Sequence, residues 1–329
     1  MRNLDINSVW SSLLSTLAHR ALSPTSRLHW IYLLSALLMA LWTYWLSRRQ
    51  GEQRSLPEYL FPRSVWLHSS AITDYSYAAL TMPLWTLLAV PRLLSPTQVS
   101  QHIIAATPHW LLPISPTAMP TLAVALLYTT VLIVTGDFEL YWVHRLMHRI
   151  PALWEYHKVH HSAEVLTPVT FYRTHPVELL IQALAEAVTI GLVTALFSYF
   201  FHDALAPATI FGVNILRFAF FVFGANLRHS HIWFSFGSAA EHIFISPAQH
   251  QIHHSSDPRH FNRNFGVEFA IWDWLWGTLH CAGRKRPLIF GLGSDENRRL
   301  STVRQLYVNP LRATWWSTYR FVRSTAFTS

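Results

Sequence analysis

Residues 28–46, LHWIYLLSALLMALWTYWL, form a stretch of nineteen positions without a charge. As a helix it would rise about 28 Å, enough to cross a bilayer. Further apolar stretches cover about 75–94, interrupted by Pro83 and Pro91, and about 120–142, 179–201 and 207–224. The last two are close enough to form a helical hairpin. Between Leu93 and Gly136 no charged residue occurs, and the part near 95–119 reads as a polar, proline-punctuated connection. The pattern predicts an all-α integral membrane bundle of about four to five spans.

Composition agrees. Hydrophobic residues make up 51% of the 329 positions and charged residues only 13%, about half the charged share of an ordinary soluble domain. The net charge is +8, and only Lys158 and Lys285 among the 25 basic residues are lysines. On so apolar a background the basic excess points to anionic headgroups and away from nucleic acid. The single cysteine, Cys281, leaves no intrachain disulfide and no paired-cysteine metal motif. The first 27 residues lack an apolar run beside a small-residue cleavage site, so a removed signal peptide is not expected. Arg48, Arg49 and Arg54 directly after the first span place that loop in the cytoplasm by the positive-inside rule. Counting spans onward brings every repeated histidine motif to the same side. Residues 284–329, with nine basic side chains, read as a solvated or headgroup-facing tail.

Those motifs carry the chemistry. His144 and His148, in HRLMH, are one helical turn apart. His157 faces His160 and His161 in HKVHH, and His250 faces His253 and His254 in HQIHH. Histidine is the commonest metal-ligating side chain. Eight imidazoles exceed what one octahedral ion can use, so two metals are expected. Asp137, Tyr141, His144 and His148 lie on one helical face, and Asp137 is expected to accept a ligand's outer N–H. His175 is a further candidate ligand with Glu178 as its neighbouring support. His229 and His231 are also candidates. His19, His29, His68, His102, His109, His202 and His280 have the ordinary reading of interfacial hydrogen bonding, towards which His242 and His260 also lean.

DFELYWVHRLMH, HKVHH, RTHPVE, NLRHSH and SPAQHQIHH followed by NFGVEFAIWDWLWGTL resemble the fatty acid hydroxylase/sterol desaturase superfamily, histidine-rich non-haem di-iron oxygenases of membranes. The resemblance runs from about 120 to 280. It implies a helical membrane scaffold with a cytosolic cap holding two iron ions, with zinc as a substitute in purified material, and O2 as co-substrate. The implied ligands are His144, His148, His157, His160, His161, His175, His229, His250, His253 and His254, with either His229 or His231 supplying that ligand. Asp137, Glu178, Asn226, Asn264 and Asp273 are the implied supports. The expected organisation is an N-terminal membrane region over 1–119, a catalytic domain over 120–283 and the basic tail over 284–329. The expected activity is O2-dependent hydroxylation of an unactivated C–H bond of a membrane lipid, with desaturation on the same site as the alternative. Electrons are expected from a ferredoxin or a b-type cytochrome with its reductase, and the location is expected to be a bacterial inner membrane. A histidine-rich metal transporter would hold its ligands at mid-bilayer depth, and a haem carrier would use isolated axial histidines within spans. The doubled His-x-x-His-His motif at helix ends fits neither.

Overall fold

The computed structural model of the chain describes residues 22–87, 94–108, 120–201 and 205–326. Three of its helices are long and apolar enough to cross a membrane: α1 (Trp30–Arg49), α4 (Thr121–Arg149) and α6 (Pro176–Phe201). Between α1 and α4 lie α2 (Ser69–Leu87) and α3 (Pro96–Ala106). Among the described residues the expected four to five spans thus reduce to three by length and composition. The stretch near 75–94 is helical as far as Leu87, while 88–93 lies outside the described residues.

The run 207–224 is not a continuous helix. It folds as a two-residue hairpin, β1 (Thr209–Ile210) with β2 (Val213–Asn214), followed by the eight-residue α7 (Ile215–Val222). Phe211 and Gly212 make the turn with φ of 51° and 78°, the positive pair that a tight hairpin requires. Ala208 N–H and Asn214 Nδ2 donate to Thr129 Oγ1 and the Thr129 carbonyl, fixing the turn against the middle of α4. The chain therefore returns along α4 by a short helix, with no full second arm of a hairpin.

α4 and α6 pack through Val124, Tyr128, Val193 and Phe197, and Tyr128 and Thr194 hydroxyls meet at 2.8 Å. α3 closes on α6 at Gly191, where a Cβ would stand 2.5 Å from Val99 and 2.9 Å from the Pro96 carbonyl oxygen. The opposite face of α6 exposes Leu184, Val188, Leu192 and Leu196 at four-residue intervals, a stripe suited to lipid. α4 has 29 residues and so measures about 44 Å, against about 30 Å of hydrocarbon. A crossing that started at Thr121 would be used up near residue 141, which would leave His144 and His148 on an overhang.

Beyond that stretch of α4 sits a layer of three short helices and one long one. α5 (Pro151–His161) and α8 (Pro247–His253) both start with proline at the first position, where its missing N–H costs nothing. Ser246 caps α8, accepting from Gln249 N–H while the Gln249 side chain accepts from Ser246 N–H. α9 (Ile271–Leu275) and α10 (Val303–Ala326) complete the layer. The basic tail is not wholly solvated. Leu300 and Leu306 are fully buried against Tyr77 of α2 and Val159 of α5. Arg173, 2% exposed, ties these parts together. It pairs with Asp74 of α2 at 2.7 Å and donates to the Val159 carbonyl, Ser162 Oγ and the Leu300 carbonyl.

A candidate metal centre of two histidine groups

Nine imidazoles converge in two adjoining groups. His144, His148, His157, His161 and His253 form one, and His160, His229, His250 and His254 the other; within each, the ligand atoms lie within 4.8 Å of one another. α4 supplies two side chains, α5 three and α8 two, with His229 and His254 from the segments beside them. On α5 the one-turn spacing divides the labour: His157 and His161 share a face, while His160 points to the second group.

The first group is oriented by two backbone carbonyls, which can only accept, and by the Glu178 carboxyl. His144 Nδ1 lies 2.7 Å from the Phe265 carbonyl oxygen and His253 Nδ1 lies 2.8 Å from that of Arg263. His157 Nδ1 lies 2.8 Å from Glu178 Oε1. The Nδ1 of His144 and of His253 therefore carries the hydrogen, as does that of His157 when Glu178 is a carboxylate, and each Nε2 is then left as a bare lone pair. His144 Nε2 and His157 Nε2 nevertheless face one another at 3.1 Å, as do His157 and His161 Nε2. The Nε2 atoms of His148 and His253 have no hydrogen-bond partner among the described residues. In the second group Nε2 contacts run from His160 to His229 to His250 to His254 at 3.1, 3.0 and 3.2 Å. Two nitrogens each about 2.0–2.1 Å from one ion would be about 2.9 Å apart at a right angle and about 3.4 Å at the tetrahedral angle. The observed spacings fall between these values, so the residues fit a pair of metal ions.

Electrostatics favour the same occupant. Burial holds His157 and His160 down to about 3, and holds His161, His229, His250, His253 and His254 well below the ordinary histidine range. At neutral pH these rings are uncharged, the form that ligates a metal.

Several expected site residues fall elsewhere. His175 joins neither group. Its Nε2 meets the Tyr307 carbonyl at 3.1 Å and its Nδ1 accepts from Val177 N–H, because it stands at the start of α6 under Tyr156 and Tyr307. Of the NLRHSH pair, His229 enters the second group, whereas His231 Nε2 bonds the Tyr59 carbonyl at 2.8 Å. Asp137 holds no histidine. Its carboxylate accepts from Glu268 N–H, Phe269 N–H and Trp272 Nε1. Asn226 donates to the Arg27 carbonyl. Glu178 does meet a histidine directly, His157.

Asn264 and Asp273 act one step further out. Arg263 and Phe265, whose carbonyls orient His253 and His144, flank Asn264, which bonds the Gln249 carbonyl of α8 and both backbone groups of His280. Asp273 accepts from Phe265 N–H at 2.8 Å, Gly266 N–H at 2.7 Å and Thr278 Oγ1 at 2.6 Å. Burial raises its carboxyl to about 6, so it remains ionised at pH 7. The two supporting carbonyls belong to the backbone, and nothing in the side-chain pattern marks them.

The groups are reached from two directions. A cleft of about 940 Å³ opens onto His148, His161, His253 and His254 beside Lys158 and Phe261. A separate cavity of about 250 Å³ touches His144, His157, His160, His229 and His250 from the side of the spanning helices. Its other walls include Leu140, Leu179 and two cations, Arg27 and Arg228.

Residues 129–278 match the profile of the fatty acid hydroxylase family. Over 179 residues, 54% of this chain, the sequence is 27% identical to the alkylglycerol monooxygenase of Caenorhabditis elegans, covering 31% of that protein. It is 29% identical over 160 residues to the ornithine lipid hydroxylase of Rhizobium tropici, covering 49% of this chain and 44% of the relative. It is 30% identical over 176 residues to the Delta(7)-sterol 5(6)-desaturase of Aspergillus fumigatus, covering 52% and 44%. The matches thus span less than half the length of each relative. No solved structure matches the chain. All nine converging histidines lie inside the matched segment, so the part of the chain that carries both groups is the part similar to the fatty acid hydroxylase family and to a sterol desaturase.

Proposed function

We propose that the protein is an O2-dependent di-iron hydroxylase of a membrane lipid. The observation that carries this reading is the pair of bare lone pairs on His144 and His157, 3.1 Å apart in a buried site that disfavours a proton between them. A metal cation fits between them, and an all-nitrogen donor set suits a redox-active transition metal. His144, His148, His157, His161 and His253 would hold one ion, and His160, His229, His250 and His254 the other. Bound iron supplies the activation of O2 for attack on an unactivated C–H bond. The overall hydroxylation is R–H + O2 + 2e⁻ + 2H⁺ giving R–OH + H2O, so an external donor, a ferredoxin or b-type cytochrome with its reductase, delivers the two electrons.

The chain's own residues do the rest. Glu178 and the Arg263 and Phe265 carbonyls hold three imidazoles in the ligating tautomer. Leu140, Leu179 and Val267 line the inner cavity and keep water from the reacting carbon. We assign residues 120–283 to the catalytic unit, between an N-terminal membrane region over 1–119 and the basic tail over 284–329. The location is a bacterial inner membrane with the histidine end on the cytoplasmic face, as the arginines after α1 favour. Desaturation is the second reading, favoured by the 30% identity to a sterol desaturase. Both reactions begin with hydrogen abstraction and differ in the next event.

Metal analysis of iron-replete protein, with lipid profiling of cells carrying wild type or His160→Ala, tests the proposal. Two irons per chain and a wild-type product heavier by one oxygen are expected. A product lacking two hydrogens would instead establish the desaturase. Fewer than two ions per chain, or identical lipid profiles, would refute both.

A further inference from the structure

The inner cavity holds two guanidiniums that the metal chemistry does not use. Arg228 is 1% exposed, yet among the described residues its Nε has no hydrogen-bond partner, while its Nη2 donates to the Ile245 carbonyl at 3.0 Å. Arg27, half-buried, makes no hydrogen bond or ion pair through its guanidinium among the described residues. It rests over the rings of Phe171 at 4.0 Å and Phe221 at 5.5 Å. Arg228 lies over Phe220 at 4.4 Å. The two cations repel one another. The acid they both feel, Glu268, is already held by Arg217 Nε at 2.9 Å. Glu178, the acid on the cavity wall, is engaged by His157 and Gln182 and interacts with the histidines. Two clustered cations, one buried and one half-buried, without an anion of their own among the described residues are an unfinished arrangement, because the fork of a guanidinium is built for a carboxylate or phosphate.

We propose that Arg27 and Arg228 form an oxyanion site that takes the phosphate or carboxylate of an anionic membrane lipid and so presents a neighbouring carbon to the two histidine groups. At about 250 Å³ the cavity is smaller than the roughly 300–1,000 Å³ of sites that enclose a whole small molecule. It accommodates the headgroup end of a lipid and leaves the chains in the bilayer. This rests on the oxygenase reading for what happens to the carbon, but not for the binding itself.

Binding to the full chain in neutral nanodiscs tests it, in iron-loaded and chelator-stripped protein. The probes are dioleoyl phosphatidate, oleate, dioleoylglycerol and soluble glycerol 3-phosphate. At least one anionic lipid is expected to bind tenfold or more tighter than dioleoylglycerol, and which one does so names the oxyanion. Arg27→Gln and Arg228→Gln are each expected to abolish that preference with dioleoylglycerol binding unchanged. Arg27→Lys, which keeps the charge, is expected to retain part of it. Equal binding of charged and neutral lipids by wild type, or an unaltered preference in both glutamine variants, overturns the inference. Tight binding of glycerol 3-phosphate without a lipid preference overturns the lipid as its source. Iron-bearing protein without the preference would sink this inference alone, whereas a preference in protein that never binds iron would sink only the oxygenase reading.

Discussion

Asp273→Ala probes how a carboxylate that touches no histidine governs one. The substitution leaves the N–H groups of Phe265 and Gly266 without their acceptor in a site where Phe265 is fully buried. Each orphaned donor costs about 1–3 kcal/mol. Thr278 Oγ1 loses less, because the Tyr141 hydroxyl remains at 3.1 Å. The sum is a destabilisation of about 2–6 kcal/mol. The Phe265 carbonyl would then no longer be fixed over His144 Nδ1, and losing such outer support typically weakens a metal site about 10–100-fold. Only the group containing His144 should suffer. Iron titration of the stripped variant should therefore separate one wild-type site from one weakened site, alongside a lowered midpoint of thermal unfolding in detergent. Two unaltered iron affinities in a measurably destabilised variant would refute the link from Asp273 through the Phe265 carbonyl to His144. An unchanged stability would refute the hydrogen bonds themselves.

Three further outcomes are expected. His229→Ala should reduce bound iron towards one ion per chain while His231→Ala leaves it at two; equal losses would overturn the assignment. Metal-free protein should lose stability on acidification. His157 and His160 are depressed to about 3 when folded, so below the unfolded value of about 6.5 the unfolded chain binds more protons. The loss should approach about 1.4 kcal/mol per pH unit for each such ring between those limits and vanish above them, and a flat unfolding midpoint from pH 7 to 4.5 would contradict it. Asp74→Ala should cost about 3–5 kcal/mol by leaving Arg173 buried and unpaired. A change below about 1 kcal/mol in denaturant titration would show that the pair is dispensable.

What could be read from the sequence was what depends on local periodicity. His157, His160 and His161 reveal their faces by spacing alone, because a helix turns by a fixed amount per residue. The convergence of α4, α5 and α8 on two histidine groups followed from the same side-chain chemistry repeated three times. His175 stands outside both groups because proximity in a motif says nothing of where a carbonyl such as that of Tyr307, 132 residues away, will stand. Asp137 lies on the same helical stripe as His144, yet its partners are backbone amides of a distant loop. Apolar residues at 207–224 mimic a span because hydropathy does not register a turn in which Phe211 adopts a positive φ. The supports from Arg263 and Phe265 are main-chain atoms, which every residue possesses and no motif can advertise.

The reach of Arg173 along the chain bears on biosynthesis. Its guanidinium fastens the helix that bears three of the imidazoles, yet its acceptors include the Leu300 carbonyl, emerging from the ribosome after every one of those imidazoles. A nascent chain thus displays its donor atoms before the floor beneath them is locked, and any metal ion acquired during translation would meet a loose and exchangeable nest. Durable loading belongs to the finished polypeptide.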